Sequence, residues 1–219
     1  MPNVAIVGTS RGIGRELVRQ YLADGWQVHA SVRKAEDAAG LDAAHIHIAD
    51  MTDETSLTAM ADRIGESLDL VIANAGVGAR EMRIADIDPV AWTRVMTVNA
   101  LGPLLVARTL GLKLKRPGGK FAALTSQLGS IAQNSGGMWA YRMSKAALNM
   151  GLANLAVEWK RHDITVSALH PGWVKTDMGG IDADIDPATS ITGMRKVIAA
   201  TTPESNGRFF DYTGQELAW

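Results

Sequence analysis

Along the chain, short apolar runs alternate with longer stretches whose apolar positions recur every three to four residues. The short runs predict strands over 3–7, 26–32, 45–49, 69–73, 119–125, 164–169 and 208–211; the longer stretches predict helices over 12–24, 53–67, 89–114, 138–161 and 187–199. Several strand candidates, such as Val4-Ala5-Ile6-Val7 and Leu70-Val71-Ile72-Ala73, carry no polar position. Strands of that kind are covered on both faces, as in a parallel sheet between helix layers. Asp88-Pro89 reads as an N-cap followed by proline in the first helical turn, and Pro117-Gly118-Gly119 as a break before a strand. With no internal repeat, low-complexity tract or linker, the pattern predicts one domain over 1–219. Its class is α/β: a single-domain Rossmann-type doubly wound parallel sheet of about seven strands with helices on both faces.

Composition narrows the function. Hydrophobic residues at 47% and charged residues at 21% suit a globular chain with a sizeable core. A net charge of −1 leaves no footprint for nucleic acid or an anionic membrane. The absence of cysteine excludes disulfides, thiolate metal sites and a thiol nucleophile. The N-terminus opens on a strand rather than a charged leader, and no run reaches about 18 uninterrupted apolar residues. The expectation is a soluble, cytoplasmic protein. His45 and His47 alternate on one strand face, but no third ligand accompanies them at suitable spacing, so no metal is expected.

Candidate chemistry begins after the first strand, at Gly8-Thr9-Ser10-Arg11-Gly12-Ile13-Gly14. Gly8 permits a tight turn, Gly12 a close backbone approach to a pyrophosphate, and Gly14 close packing of helix on strand. The N–H groups of the helix start, from Ser10 to Ile13, would face the phosphates. A plain strand-to-helix turn would look similar in isolation.

This loop, with Asn74-Ala75-Gly76 after the fourth strand, Tyr141-Arg-Met-Ser-Lys145 on a late helix and Pro171-Gly172 after the sixth strand, resembles the short-chain dehydrogenase/reductase family over essentially the whole chain. The finer pattern Leu128-Gly129-Ser130-Ile131, Ala146-Ala147-Leu148-Asn149 and Phe209-Phe210-Asp211-Tyr212 is similar to the subgroup of C-factor and sniffer-type carbonyl reductases. The resemblance implies that Asp50 and Met51 meet the adenine, that Asn74, Ala75 and Gly76 border its ribose, and that Pro171, Gly172, Val174 and Thr176 meet the nicotinamide side. Asp50 could equally cap the following turn. The family often has two asparagines where this chain has Ala73-Asn74, a loss of one hydrogen bond in the sheet.

NAD-preferring sites place an acidic residue at the end of the second strand. Here Val32 is followed by Arg33, and Arg11 offers a second cation from the glycine loop. Guanidinium groups suit a 2′-phosphate, so the expected cofactor is NADP(H).

Tyr141 and Lys145 stand four apart and so share one helix face. A phenol needs roughly 4 kcal/mol of differential stabilisation to titrate three pH units below its usual value near 10. An ammonium at about 4 Å supplies a comparable amount at an effective dielectric near 20. The expectation is that Lys145 lowers Tyr141, which then works as general acid and base, and by resemblance also holds the nicotinamide ribose. Ser126 resembles the serine that bonds the substrate oxygen, with Thr125 and Ser130 as competitors. Asn99 resembles the fourth member of the family's tetrad. Pro103, lacking an N–H, would leave the Asn99 carbonyl free and kink the helix.

Leu128, Trp139, Trp173 and Met178 are the substrate-pocket candidates, and the short polar segment 177–190 suggests an open pocket. The reading is an NADP(H)-dependent oxidoreductase acting on a small-molecule carbonyl or alcohol. The competing reading is a nucleotide-binding, C-factor-like signalling protein. The resemblance also implies a homodimer or homotetramer paired through 89–114 and 138–161.

Overall fold

The computed structural model describes residues 1–41, 44–65 and 67–219. Seven strands form one all-parallel sheet: β1 (Asn3–Val7), β2 (Gln27–Val32), β3 (His45–Ile48), β4 (Leu70–Ala73), β5 (Lys120–Leu124), β6 (Thr165–His170) and β7 (Arg208–Asp211). Their order is β3-β2-β1-β4-β5-β6-β7. Because side chains alternate along a strand, each central strand feeds two cores. Ala5 and Val7 of β1 join Leu57, Val106 and Leu148 on one face. Val4 and Ile6 join Leu17, Ile191 and Met194 on the other. The first face is covered by α2 (Glu54–Arg63), α4 (Gly102–Leu110) and α5 (Trp139–Trp159), the second by α1 (Gly12–Ala23) and α6 (Pro187–Ala200).

The helix starts follow their caps. The Asp88 carboxylate accepts from Val90 N and Ala91 N ahead of α3 (Pro89–Met96), and Asp53 and Asp186 do the same for α2 and α6. All seven predicted strands are present, within about two residues at each end. The helix expected over 53–67 closes at Arg63, and Glu66 lies outside the described residues.

The helix expected over 89–114 is interrupted. Between α3 and α4 lies a π-helical turn, Thr97–Leu101, where Gly102 N donates to Thr97 O, five residues back. Pro103 has no N–H to offer Asn99, and the chain takes up the mismatch as one wide turn. The kink expected from Pro103 therefore takes the form of a π-bulge. By length and composition the run Pro89–Lys113 could cross a membrane, but 56% of its apolar stretch is buried inside the domain, where it packs as a core helix.

The strand order reverses between β1 and β4, and a parallel sheet opens a crevice at the carboxyl ends of its strands where that happens.

Candidate active site

A crevice of about 1130 Å³ opens at that switch point. Its floor is the glycine loop: Gly8, Ser10, Arg11, Gly12, Ile13 and Gly14 all line it. Sterics explain the glycines. A Cβ on Gly8 would stand 2.5 Å from the Ala75 Cβ at a φ of +94°, and one on Gly14 would stand 2.1 Å from the Gly8 carbonyl oxygen. The loop is tied to its neighbours, with Gly8 N donating to Ser31 Oγ (3.0 Å) and Asn74 Nδ2 to Gly8 O (2.5 Å). No side chain caps α1, whose first turn carries no acidic residue, so the start of this helix is a suitable seat for an anion.

Arg33, Asp50, Met51, Asn74, Ala75 and Gly76 line the same crevice. Asp50 Oδ1 accepts from Thr52 N (2.8 Å) and Thr52 Oγ1 (2.7 Å), so it braces its own turn, while Asp53 is the residue that caps α2. The two expected cations part company. Arg33 stands at the end of β2, whereas Arg11 Nη1 reaches Asp177 Oδ2 at 3.0 Å across the mouth, with both side chains about three-quarters exposed.

The other wall holds Tyr141 and Lys145. Lys145 Nζ lies 5.8 Å from the Tyr141 ring centre and donates to Leu124 O at 2.8 Å. Burial pushes the Lys145 amine down to about 8. The phenol behaves differently from expectation: burial raises Tyr141 above its ordinary value, and a hydrogen bond from Ser126 offsets part of that rise. Desolvation opposes any charged phenolate, and the lysine, bonded to a carbonyl, does not overcome it. Ser126 is itself buried, and its Oγ accepts from Leu128 N (3.1 Å).

Asn99 is fully buried and sits behind the wall rather than on it. Its Oδ1 accepts from Val77 N (2.8 Å), while its Nδ2 donates to Val77 O (2.8 Å) and Ser144 Oγ (3.1 Å). The residue thereby joins the loop after β4 to the helix carrying Tyr141.

After β6, Pro171 and Thr176 line the crevice, and the Thr176 methyl would lie 3.1 Å from a Cβ on Gly12. Gly172 packs beneath, against Tyr212 and Ile185, and Val174 is buried in a bridge with Ile185. Of the substrate-pocket candidates, Met178 lines the crevice; Leu128, Trp139 and Trp173 lie outside its walls, and the Trp173 indole donates to Gly179 O (2.8 Å). Sequence reasoning missed Ser31, Lys175 and Asp177, which also line it. A hydroxyl near the end of β2 was the signal available for Ser31; Asp177 is 166 residues from its partner Arg11 and had none.

Among the described residues, no three His, Cys, Asp or Glu side chains are grouped to hold a metal ion. His47 Nε2 instead meets His29 Nδ1 at 3.1 Å, across β2 and β3.

Known proteins of one family resemble this chain in sequence and fold. The family model for short chain dehydrogenases matches residues 2–184. Over 155 residues the chain is 44% identical to the C-signal protein of Myxococcus xanthus, an alignment covering 69% of this chain and 93% of that protein. Among solved structures, the carbonyl reductase Sniffer of D. melanogaster superposes with a TM-score of 0.93 at 29% identity, with both chains fully covered. An NADPH-bound carbonyl reductase from chicken fatty liver superposes with a TM-score of 0.92 at 31% identity, covering 100% of this chain and 99% of that one. The chain therefore belongs to the short-chain dehydrogenase family and is an oxidoreductase.

Proposed function

We propose that this protein is an NADP(H)-dependent reductase of small aldehydes or ketones, with Tyr141 as its proton donor. The observation that carries the reading is the wall opposite the glycine cradle, where the half-buried Tyr141, its phenol beside the Ser126 hydroxyl, stands over the buried Lys145. The cradle suits a dinucleotide: it has no room for a Cβ at Gly8 or Gly14, and an uncapped helix start faces it. Arg33 is the residue to pair with a 2′-phosphate, and the NADPH bound to the similar chicken enzyme supports that choice. Bound there, the nicotinamide supplies the hydride.

The chain's own groups handle the proton. A phenol raised by burial is held protonated at neutral pH, which suits donation to an oxygen gaining charge during reduction. The Ser126 hydroxyl, beside the phenol, would stabilise that charge as it forms. Lys145, at about 8, is mostly cationic at neutral pH and eases loss of the phenol's proton. Asn99 holds the α5 wall against the loop after β4.

The similarity to C-signal favours a second reading, a signalling protein that binds the nucleotide without turnover. A carbonyl panel with NADPH separates the two. Turnover by the wild type that Tyr141→Phe abolishes supports the reductase; NADPH binding with no turnover on any substrate supports the signalling protein.

Pairing of two copies fits the exposed apolar stripe of Met143, Met150 and Val157 on α5. Sedimentation showing a monomer at micromolar concentration would count against it.

A further inference from the structure

One side chain holds Ser126 from both flanks. On one side Thr125 extends the β5 ladder, its N–H donating to Leu169 O (2.8 Å), and its hydroxyl donates to Asn149 Oδ1 at 2.6 Å. On the other side Gly129 closes the turn, its N–H donating to Ser126 O (2.8 Å), and its carbonyl accepts from Asn149 Nδ2 at 3.4 Å. Thr125 and Asn149 are 2% and 3% exposed. The turn also lies flat on α5: a Cβ on Gly129 would stand 2.7 Å from the Lys145 carbonyl carbon and 2.8 Å from its Cβ. Asn149 is one helical turn beyond Lys145 and two beyond Tyr141, so the three share one face over about 12 Å of helix.

We infer that Asn149, acting through Thr125 and Gly129, is a positioning residue that fixes the Ser126 hydroxyl against Tyr141. The inference rests on Tyr141 being the proton donor. Buried amide and hydroxyl groups need partners; both partners of the Asn149 amide belong to the segment that carries Ser126, and the Thr125 hydroxyl also meets Lys145 O at 3.4 Å. The face of α5 thus bears proton donor, cation and clamp on successive turns. Packing alone would be served by leucine at 149, which could hold neither flank.

The test compares Asn149→Ala, Thr125→Val and the double variant. Each single change should lower kcat for carbonyl reduction about 10- to 100-fold with NADPH affinity within twofold of wild type, and the double variant should be no worse than the poorer single. The alkaline limb of the kcat profile should move up by about 0.5 to 1 pH, since a displaced serine no longer eases ionisation of the phenol. A readout independent of turnover is 13Cζ-tyrosine NMR, because the chain has three tyrosines and Tyr141→Phe assigns the relevant signal. The Tyr141 midpoint should rise by the same amount in each variant. An unchanged midpoint in folded variants overturns the inference, whatever the rates. Should Asn149→Ala fail to fold, Thr125→Val preserves volume and carries the same measurement. A wild type that reduces no carbonyl would sink the proposed function, while the NMR titration still decides the placement of Ser126.

Discussion

The two walls of the crevice are built on different principles. The wall of β1, α1 and β4 works through backbone: glycines at 8, 12 and 14 bring main chain close, and the helix start presents N–H groups. The wall of β5 and α5 works through side chains, Tyr141 and Lys145, whose protonation responds to burial, with the Ser126 hydroxyl behind them. A site of the first kind fails when atoms are added; one of the second kind fails when a single polar atom is removed or moved.

The sharpest way to separate the walls is Tyr141→Phe. Removing one oxygen should lower kcat by about a thousandfold and leave NADPH affinity within about twofold, read by steady-state kinetics and calorimetry. Adding one carbon to the other wall should do the reverse. Gly14→Ala places a methyl against the Gly8 carbonyl and should weaken NADPH binding about 100-fold, with a lower melting temperature.

Protons test both halves at once, because each has a histidine held well below its ordinary value. Burial, reinforced by the neighbouring His29, pushes His47 on β3 down to about 4, and burial pushes His170 at the end of β6 to about 4, with Asp211 opposing. The unfolded chain binds those protons near pH 6.5, before the folded one does. Stability should therefore be flat above that pH and fall as pH drops from 6.5 towards 4, by at most about 3 kcal/mol for each ring. Urea melts at pH 7.5 and 4.5, with His47→Gln and His170→Gln, would assign the loss to one half or the other.

Smaller effects are expected at the rim. Arg33→Ser should cut the preference for NADPH over NADH about 10- to 30-fold. Asp177→Asn, which breaks the exposed pair with Arg11, should change NADPH affinity less than threefold. Equal effects of the two on the NADPH/NADH ratio would mean that Arg11, and not Arg33 alone, reads the phosphate.

The same contrast explains which features the sequence carries on its face. Backbone chemistry has a local signature: uninterrupted apolar runs announce covered strands, and a glycine at a fixed offset announces a close approach, so the sheet and the cradle were legible. Side-chain electrostatics does not. The spacing of Tyr141 and Lys145 gives proximity, but the direction of the phenol's shift depends on burial supplied by distant segments. Trp139 and Trp173 sit beside landmarks in sequence, yet neighbours along the chain do not say which way an indole points. Arg11 finds Asp177 from across the fold, a pairing no local pattern encodes. Pro103 flagged a disturbance near Asn99, but a period of 3.6 could not distinguish a bend from a wide turn.

That wide turn at Thr97–Leu101 carries a surplus residue, so the side-chain stripes before and after it run out of phase. Excising one residue there would let an ordinary helical turn close the gap with the stripes on either side left where they are, whereas excising one from the regular helix beside it would swing everything beyond by about 100°. The loss would fall locally, on the Asn99 amide that grips the Val77 backbone on two atoms. This stretch is thus where the helix can change length without turning its faces, at the expense of the loop it anchors.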